Sequence, residues 1–157
     1  MKAQDIMTRE VITVRADTTV DEIAHLLDEH HIGSVPVVDE EGHVVGIVSE
    51  SDLFLKPKGI PFSAVKLPTL FKQWVDPTML AEIYVKARHN TAADVMTREV
   101  ICVEAQDDIS HVVWLMAQRG LKHLPVLQDG KLVGIITRAN VIRMLVRDES
   151  PESLRDG

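Results

Sequence analysis

The chain has 157 residues, 45% hydrophobic and 26% charged, with a formal net charge of -7. That length supports one domain or two very small ones, and the acidic balance argues against general nucleic-acid binding, which needs a basic footprint. One cysteine, Cys102, excludes an intrachain disulfide framework; with no signal-like N-terminus and no apolar run of membrane-spanning length, the expected location is cytoplasmic, with no membrane partner.

Read from the N-terminus, the chain repeats itself. Met7-Thr8-Arg9-Glu10-Val11-Ile12 recurs letter for letter as Met96 to Ile101, and Asp5 precedes the first run as Asp94 precedes the second. A short strand is expected next, over Val11–Val14. A helix follows: Thr19 and Glu22 form a capping-box pattern, and Val20, Ile23, Ala24 and Leu27 share one face. Two β-rich runs, Val35–Val38 and Val44–Val48, are joined by a glycine turn at Gly42. A last helix begins near Asp52. The order is β-α-β-β-α, and it closes the first unit at about residue 55.

Residues 56–91 read as a partly helical insertion. It opens with turn chemistry, Lys56-Pro57-Lys58-Gly59-Ile60-Pro61. Asp76 and Pro77 then suit a helix start, followed by a stripe of Leu80, Ile83, Tyr84 and Ala87. Lys56, Lys58, Lys66 and Lys72 fall in a stretch without acids, read as a solvated linker.

The second unit, 92–157 with its tail, runs the same way. Val100–Val103 is the strand. Asp108 caps a helix with Ile109, Val112, Val113 and Met116 on its inner face. Leu124-Pro125-Val126-Leu127 answers Val35-Pro36-Val37-Val38, and Asp129-Gly130 is a strong hairpin turn. The last helix begins near Asn140. Neither unit can bury both its faces alone, so two α/β (α+β) units packed about a pseudo-twofold axis are expected.

These residues resemble a known family. Asp-x-Met-Thr, a strand, an amphipathic helix, a hydrophobic-Pro-Val strand and then Gly-Ile-Val/Ile-Ser/Thr-x-x-Asp/Asn is similar to a cystathionine-β-synthase (CBS) repeat. Two copies resemble a CBS pair, or Bateman module, of the stand-alone bacterial and archaeal type; the insertion with Leu67-Pro68 and Leu70-Phe71 adds to that likeness. The resemblance implies a regulatory module that binds AMP, ADP, ATP or S-adenosylmethionine in clefts between the repeats, with no obligatory cofactor. It also implies a homodimer, built as a disc-like assembly of four repeats, and an effector protein that reads its conformation.

Carried over residue by residue, the family's signature falls on Ser49 and Asp52. A carboxylate accepts from both ribose hydroxyls, and a hydroxyl suits a phosphate; alternatively both residues merely cap the helix. Thr137 matches in the second copy, but Asn140 replaces the aspartate and offers no charge. Lys122 and His123, before the second proline motif, are expected to reach phosphates in the Asp52 cleft, with Arg138 nearby. The first copy has Gly33-Ser34 there. The resemblance places adenine against short aliphatics and strand backbone, for example Ile12, Thr13, Pro36 and Val48.

No nucleophile elbow, Walker motif or Rossmann fingerprint is present, which argues against an enzyme. His25, His111 and the pair His30-His31 lack ligand-spaced partners for a metal. Cys102 reads as a buried thiol. Trp74 and Trp114 read as core or interface. The competing expectation is a purely structural or protein-interaction module with degenerate clefts.

Overall fold

The computed structural model describes residues 1–55, 78, 81, 82, 85 and 88–148. In chain order it contains α1 (Ala3–Ile6), α2 (Val20–His30), β1 (Ser34–Val38), β2 (Val44–Ser49), α3 (Glu50–Leu55), α4 (Ala92–Val95), β3 (Val103–Glu104), α5 (Ile109–Arg119), β4 (His123–Gln128), β5 (Lys131–Thr137) and α6 (Arg138–Asp148). These elements form two units, Met1–Val11 with Ile101–Gly157, and Ile12–Val100. The boundary does not follow the sequence repeats: each unit combines the body of one repeat with the leading segment of the other.

In the unit of Ile12–Val100, β1 and β2 form an antiparallel hairpin with Ser34 opposite Ser49 and Val35 opposite Val48. The expected strand over Val11–Val14 shrinks to a parallel bridge from Val14 to Val37. Thr19 caps α2 by accepting from the Glu22 N–H at 3.2 Å, which satisfies one of the open donors of a helix N-terminus. Val20, Ile23 and Leu27 then pack with Val35, Val37, Val48, Val95 and Met96 in one buried cluster, with Ala24 at its edge.

The other unit repeats this plan. Asp129 and Gly130 take positive φ of 52° and 78°, as a two-residue type I′ turn requires, and β4 and β5 pair antiparallel on either side of it. The expected strand over Val100–Val103 is instead Val103–Glu104, parallel to β4. Asp108 occupies the N-cap of α5 but its side chain makes no cap bond. The Lys2 ammonium takes that carboxylate at 2.7 Å and holds it below the usual carboxylate range, first by the hydrogen bond and then by its charge. The Met1 carbonyl accepts the Ile109 N–H instead. Val112 and Met116 are buried, whereas Val113, expected on the same face, is 36% exposed.

The repeated hexapeptides mediate the exchange. Thr8 pairs with Ile135 of β5, and Thr97 pairs with Ile47 of β2, each through two backbone hydrogen bonds of 2.9 and 3.0 Å. Glycine explains the docking. A Cβ on Gly46 would lie 2.5 Å from Met96 Sδ, and one on Gly134 would clash with Met7 Sδ. A mid-strand glycine thus admits a methionine of the incoming segment. Each segment begins with a one-turn helix closed by an aspartate: Asp5 accepts from the Lys2 N–H at 2.6 Å and Asp94 from the Thr91 N–H at 2.9 Å.

The helix expected after Asp76-Pro77, with Leu80, Ile83, Tyr84 and Ala87, lies largely outside the described residues; Thr78, Ala81, Glu82 and Val85 are helical. The lysine-rich stretch, Leu67-Pro68, Leu70-Phe71 and Trp74 lie outside them.

Candidate functional site

Asp52 sits in the first turn of α3, directly after β2. It is 5% exposed. One carboxylate oxygen, Oδ2, accepts from the Ser49 N–H at 3.0 Å and the Ser49 hydroxyl at 3.2 Å, while Ser49 Oγ lies 2.8 Å from Ser51 Oγ. A buried carboxylate is tolerated when it is hydrogen-bonded in this way. The strand-to-helix junction therefore positions an acceptor group and a hydroxyl cluster together.

Ser34 completes the cluster, and sequence reasoning missed it. The hairpin register places it opposite Ser49, and paired residues of an antiparallel ladder project to the same face. Ser34 is 5% exposed, and its hydroxyl is buried with no hydrogen-bond partner among the described residues. Leaving such a group unsatisfied costs roughly 1–3 kcal/mol. Counting back from Ser49 across the hairpin finds the residue, whereas in the sequence Gly33-Ser34 registers only as the absence of a basic pair.

The structure divides the other expected site residues between the two units. Ile12, Thr13, Pro36 and Val48 belong with Asp52 and Ser49, and Lys122, His123, Thr137, Arg138 and Asn140 belong to the other unit. Of the expected adenine contacts, Pro36 and Val48 have fully buried side chains, so a base could meet them only through their strand backbone. Ile12 is only partly buried against the core. Thr13 lines an open groove of about 620 Å³ along α2, with Arg15, Asp21, Glu22, His25 and Glu29 among the lining residues. In that groove the His25 pKa is raised, first by its 2.8 Å hydrogen bond to the Asp21 carbonyl and then by the Asp21 carboxylate.

Asn140 occupies the place of Asp52 in the other unit but is committed differently. Its Oδ1 accepts from the Thr137 N–H at 2.8 Å and the Thr137 hydroxyl at 2.9 Å. Its Nδ2 donates to the Ile6 carbonyl at 2.9 Å and to Thr8 Oγ1 at 3.2 Å. Asn140 thus ties the incoming hexapeptide to the start of α6. Arg138 lies two residues away on that helix, so the two side chains do not share a face; Arg138 lines an apolar groove of about 320 Å³ with Val113, Met116, Leu121 and Ile142. Lys122 is exposed and His123 half-buried, and His123 stands opposite Thr137 in the β4–β5 register.

Among the described residues no group of three His, Cys, Asp or Glu side chains converges as a metal site. Cys102 is half-buried, and desolvation, followed by the Glu104 charge, pushes its thiol pKa up, away from the thiolate form that reacts. No helix of the described residues is long and apolar enough to cross a membrane.

Comparison with known proteins gives a consistent result. The family model for the CBS domain matches residues 3–58 and 92–147. CBSX1, a chloroplastic CBS domain-containing protein of Arabidopsis thaliana, is 32% identical over 146 residues, covering 88% of this chain and 61% of CBSX1. Another curated relative is matched over 60% of its length, so the chain spans about three-fifths of these relatives. The CBS domain of a CBS domain-containing membrane protein from Sphaerobacter thermophilus is 36% identical, with a TM-score of 0.68 over 91% of this chain and 86% of that one. CBSX2 from Arabidopsis thaliana gives a TM-score of 0.76 at 28% identity, over 93% of this chain and 94% of that one. A structure of CBSX2 in complex with AMP gives 0.72 at 27%, over 94% and 98%.

Proposed function

The chain belongs to the CBS domain family, and on that premise we propose that it is a regulatory module that binds an adenosine-containing nucleotide through Asp52, Ser49 and Ser34. The observation that carries this reading is the buried, partnerless hydroxyl of Ser34 opposite Ser49, beside a carboxylate held ready to accept. The AMP complex of CBSX2 supports AMP as the first ligand to test, with ADP, ATP and S-adenosylmethionine beside it. Binding shifts the populations of conformers that an effector protein distinguishes. The chain acts by binding and not by catalysis.

A ligand that binds only the folded state stabilises it by about 2.7 kcal/mol at one hundred times its dissociation constant. At least one of the four compounds should therefore raise the melting temperature by several degrees at millimolar concentration. Four unchanged melting curves would sink the proposal and leave an interaction module with degenerate clefts.

The working unit we propose is a homodimer, arranged as a disc of four repeats. On α5 and α6, Trp114 is 57% exposed, Ile142 61%, Leu145 56% and Val146 65%. Exposed apolar side chains on these two helices suit an association surface. Light scattering at micromolar concentration should give twice the chain mass, and Ile142→Glu with Leu145→Glu should reduce it to one. A wild-type monomer would overturn the assignment.

A further inference from the structure

We infer that Met1–Val11 and α6 together form a second ligand site, one that takes a phosphoryl anion on Arg143 and Arg147. Asn140, Arg143, Met144 and Arg147 recur at helical spacing along one face of α6, and with Thr8 and the neighbouring segment they line a cavity of about 280 Å³. That volume lies just below the range of about 300–1,000 Å³ typical of small-molecule pockets, so it suits a phosphate or pyrophosphate group more than a whole nucleotide.

The chemistry of the lining selects for an anion. Both arginines are exposed, and neither has an ion pair or side-chain hydrogen bond among the described residues. Like charges four residues apart on a helix repel, so an anion held between the two arginines relieves that repulsion. Guanidinium groups present forks of donors that match phosphate oxygens in pairs. Thr8 Oγ1 is already an acceptor, from Asn140 Nδ2 at 3.2 Å, which leaves its O–H to donate into the cavity. Asp5 is the opposing charge in the lining, but its Oδ2 is engaged by the Lys2 N–H at 2.6 Å. The chain as a whole carries a net charge of -7, so a general attraction for anions cannot account for binding there.

The phosphoryl group arrives either free or as the phosphate end of a nucleotide, and calorimetry on the full chain at low ionic strength separates the two. Pyrophosphate, ATP and adenosine are titrated into the wild type, Arg143→Gln, Arg147→Gln, the double variant and Arg119→Gln, which lies on α5 outside the cavity. A free anion predicts that pyrophosphate binds, weakens about tenfold with each single variant and is lost in the double variant. A nucleotide phosphate predicts that ATP loses the binding event assigned to Arg143 and Arg147 in the double variant, while adenosine and any event at Asp52 are unaffected. Arg119→Gln should match the wild type in both cases. The inference is overturned if the double variant binds both pyrophosphate and ATP as the wild type does, or if neither binds the wild type. Asp52→Asn separates this site from the nucleotide proposal: it should weaken adenosine and leave pyrophosphate binding unchanged.

Discussion

Asn140→Ala should destabilise the protein by about 2–4 kcal/mol, because it strands two backbone groups at once. The buried amide accepts from the Thr137 N–H and donates to the Ile6 carbonyl, and alanine does neither. The hydroxyls of Thr137 and Thr8 can rotate to new partners; the backbone groups cannot. For a chain of this size the loss corresponds to a fall in melting temperature of roughly 5–15 °C. Asn140→Asp keeps the acceptor but replaces the donor with a carboxylate facing the Ile6 carbonyl. The aspartate variant should therefore keep the Thr137 brace but lose the tie to Ile6, and fall between the wild type and alanine in stability. Denaturant melts test both statements; an alanine variant that melts within a degree of the wild type would show that the hexapeptide is held by its backbone ladder and its methionine alone.

That tie shows where the sequence was legible and where it was not. Local signals were read correctly: the Thr19 cap, the stripe of Val20, Ile23 and Leu27, and the Asp129-Gly130 turn each depend on neighbours a few residues away. The exchange of the hexapeptides was hidden, because two identical segments give no local sign of which copy they join. Gly46 and Gly134 were the available clue: a glycine in the middle of an apolar strand signals close approach by another group. In the sequence each stands inside a strand of its repeat, Val44–Ser49 or Lys131–Thr137. Asp5 and Asp94 close one-turn helices too short for hydrophobic periodicity to register. Val113 belongs to the apolar pattern of α5 yet faces outward, where the pattern alone cannot distinguish core from association surface.

The same limit applied to the site. Asp52 and Ser49 come from the family's motif, whereas the motif does not say that the side chains of Pro36 and Val48 fill the core and leave only their backbone to a ligand. Ser34 was passed over because its meaning depends on pairing across a hairpin. The register with Ser49 and the orphaned hydroxyl emerge only when the strands are placed side by side.

Asp52→Asn should weaken adenosine-nucleotide binding about tenfold while leaving the chain folded. The carboxylate is expected to accept both ribose hydroxyls. A hydrogen bond to a charged group contributes roughly 1.5–3 kcal/mol against about 0.5–1.5 for a neutral one, and each 1.4 kcal/mol is a factor of ten. Asparagine is the informative substitution because Asp52 also braces the Ser49 N–H at 3.0 Å. An amide oxygen can keep that bond, whereas Asp52→Ala removes brace and anchor together and mixes stability with affinity. Ser34→Ala should also weaken binding, but should not destabilise the free protein, since it deletes a hydroxyl that has no partner among the described residues. The decisive measurement is a calorimetric cycle between Asp52→Asn and a nucleotide lacking the 2′ and 3′ hydroxyls. If Asp52 holds the ribose, the deoxy compound binds the wild type weakly and gains little further weakness from the variant. Purely additive losses would mean that Asp52 acts only through Ser49, as a brace of the β2–α3 junction, and the ribose anchor would have to be sought elsewhere.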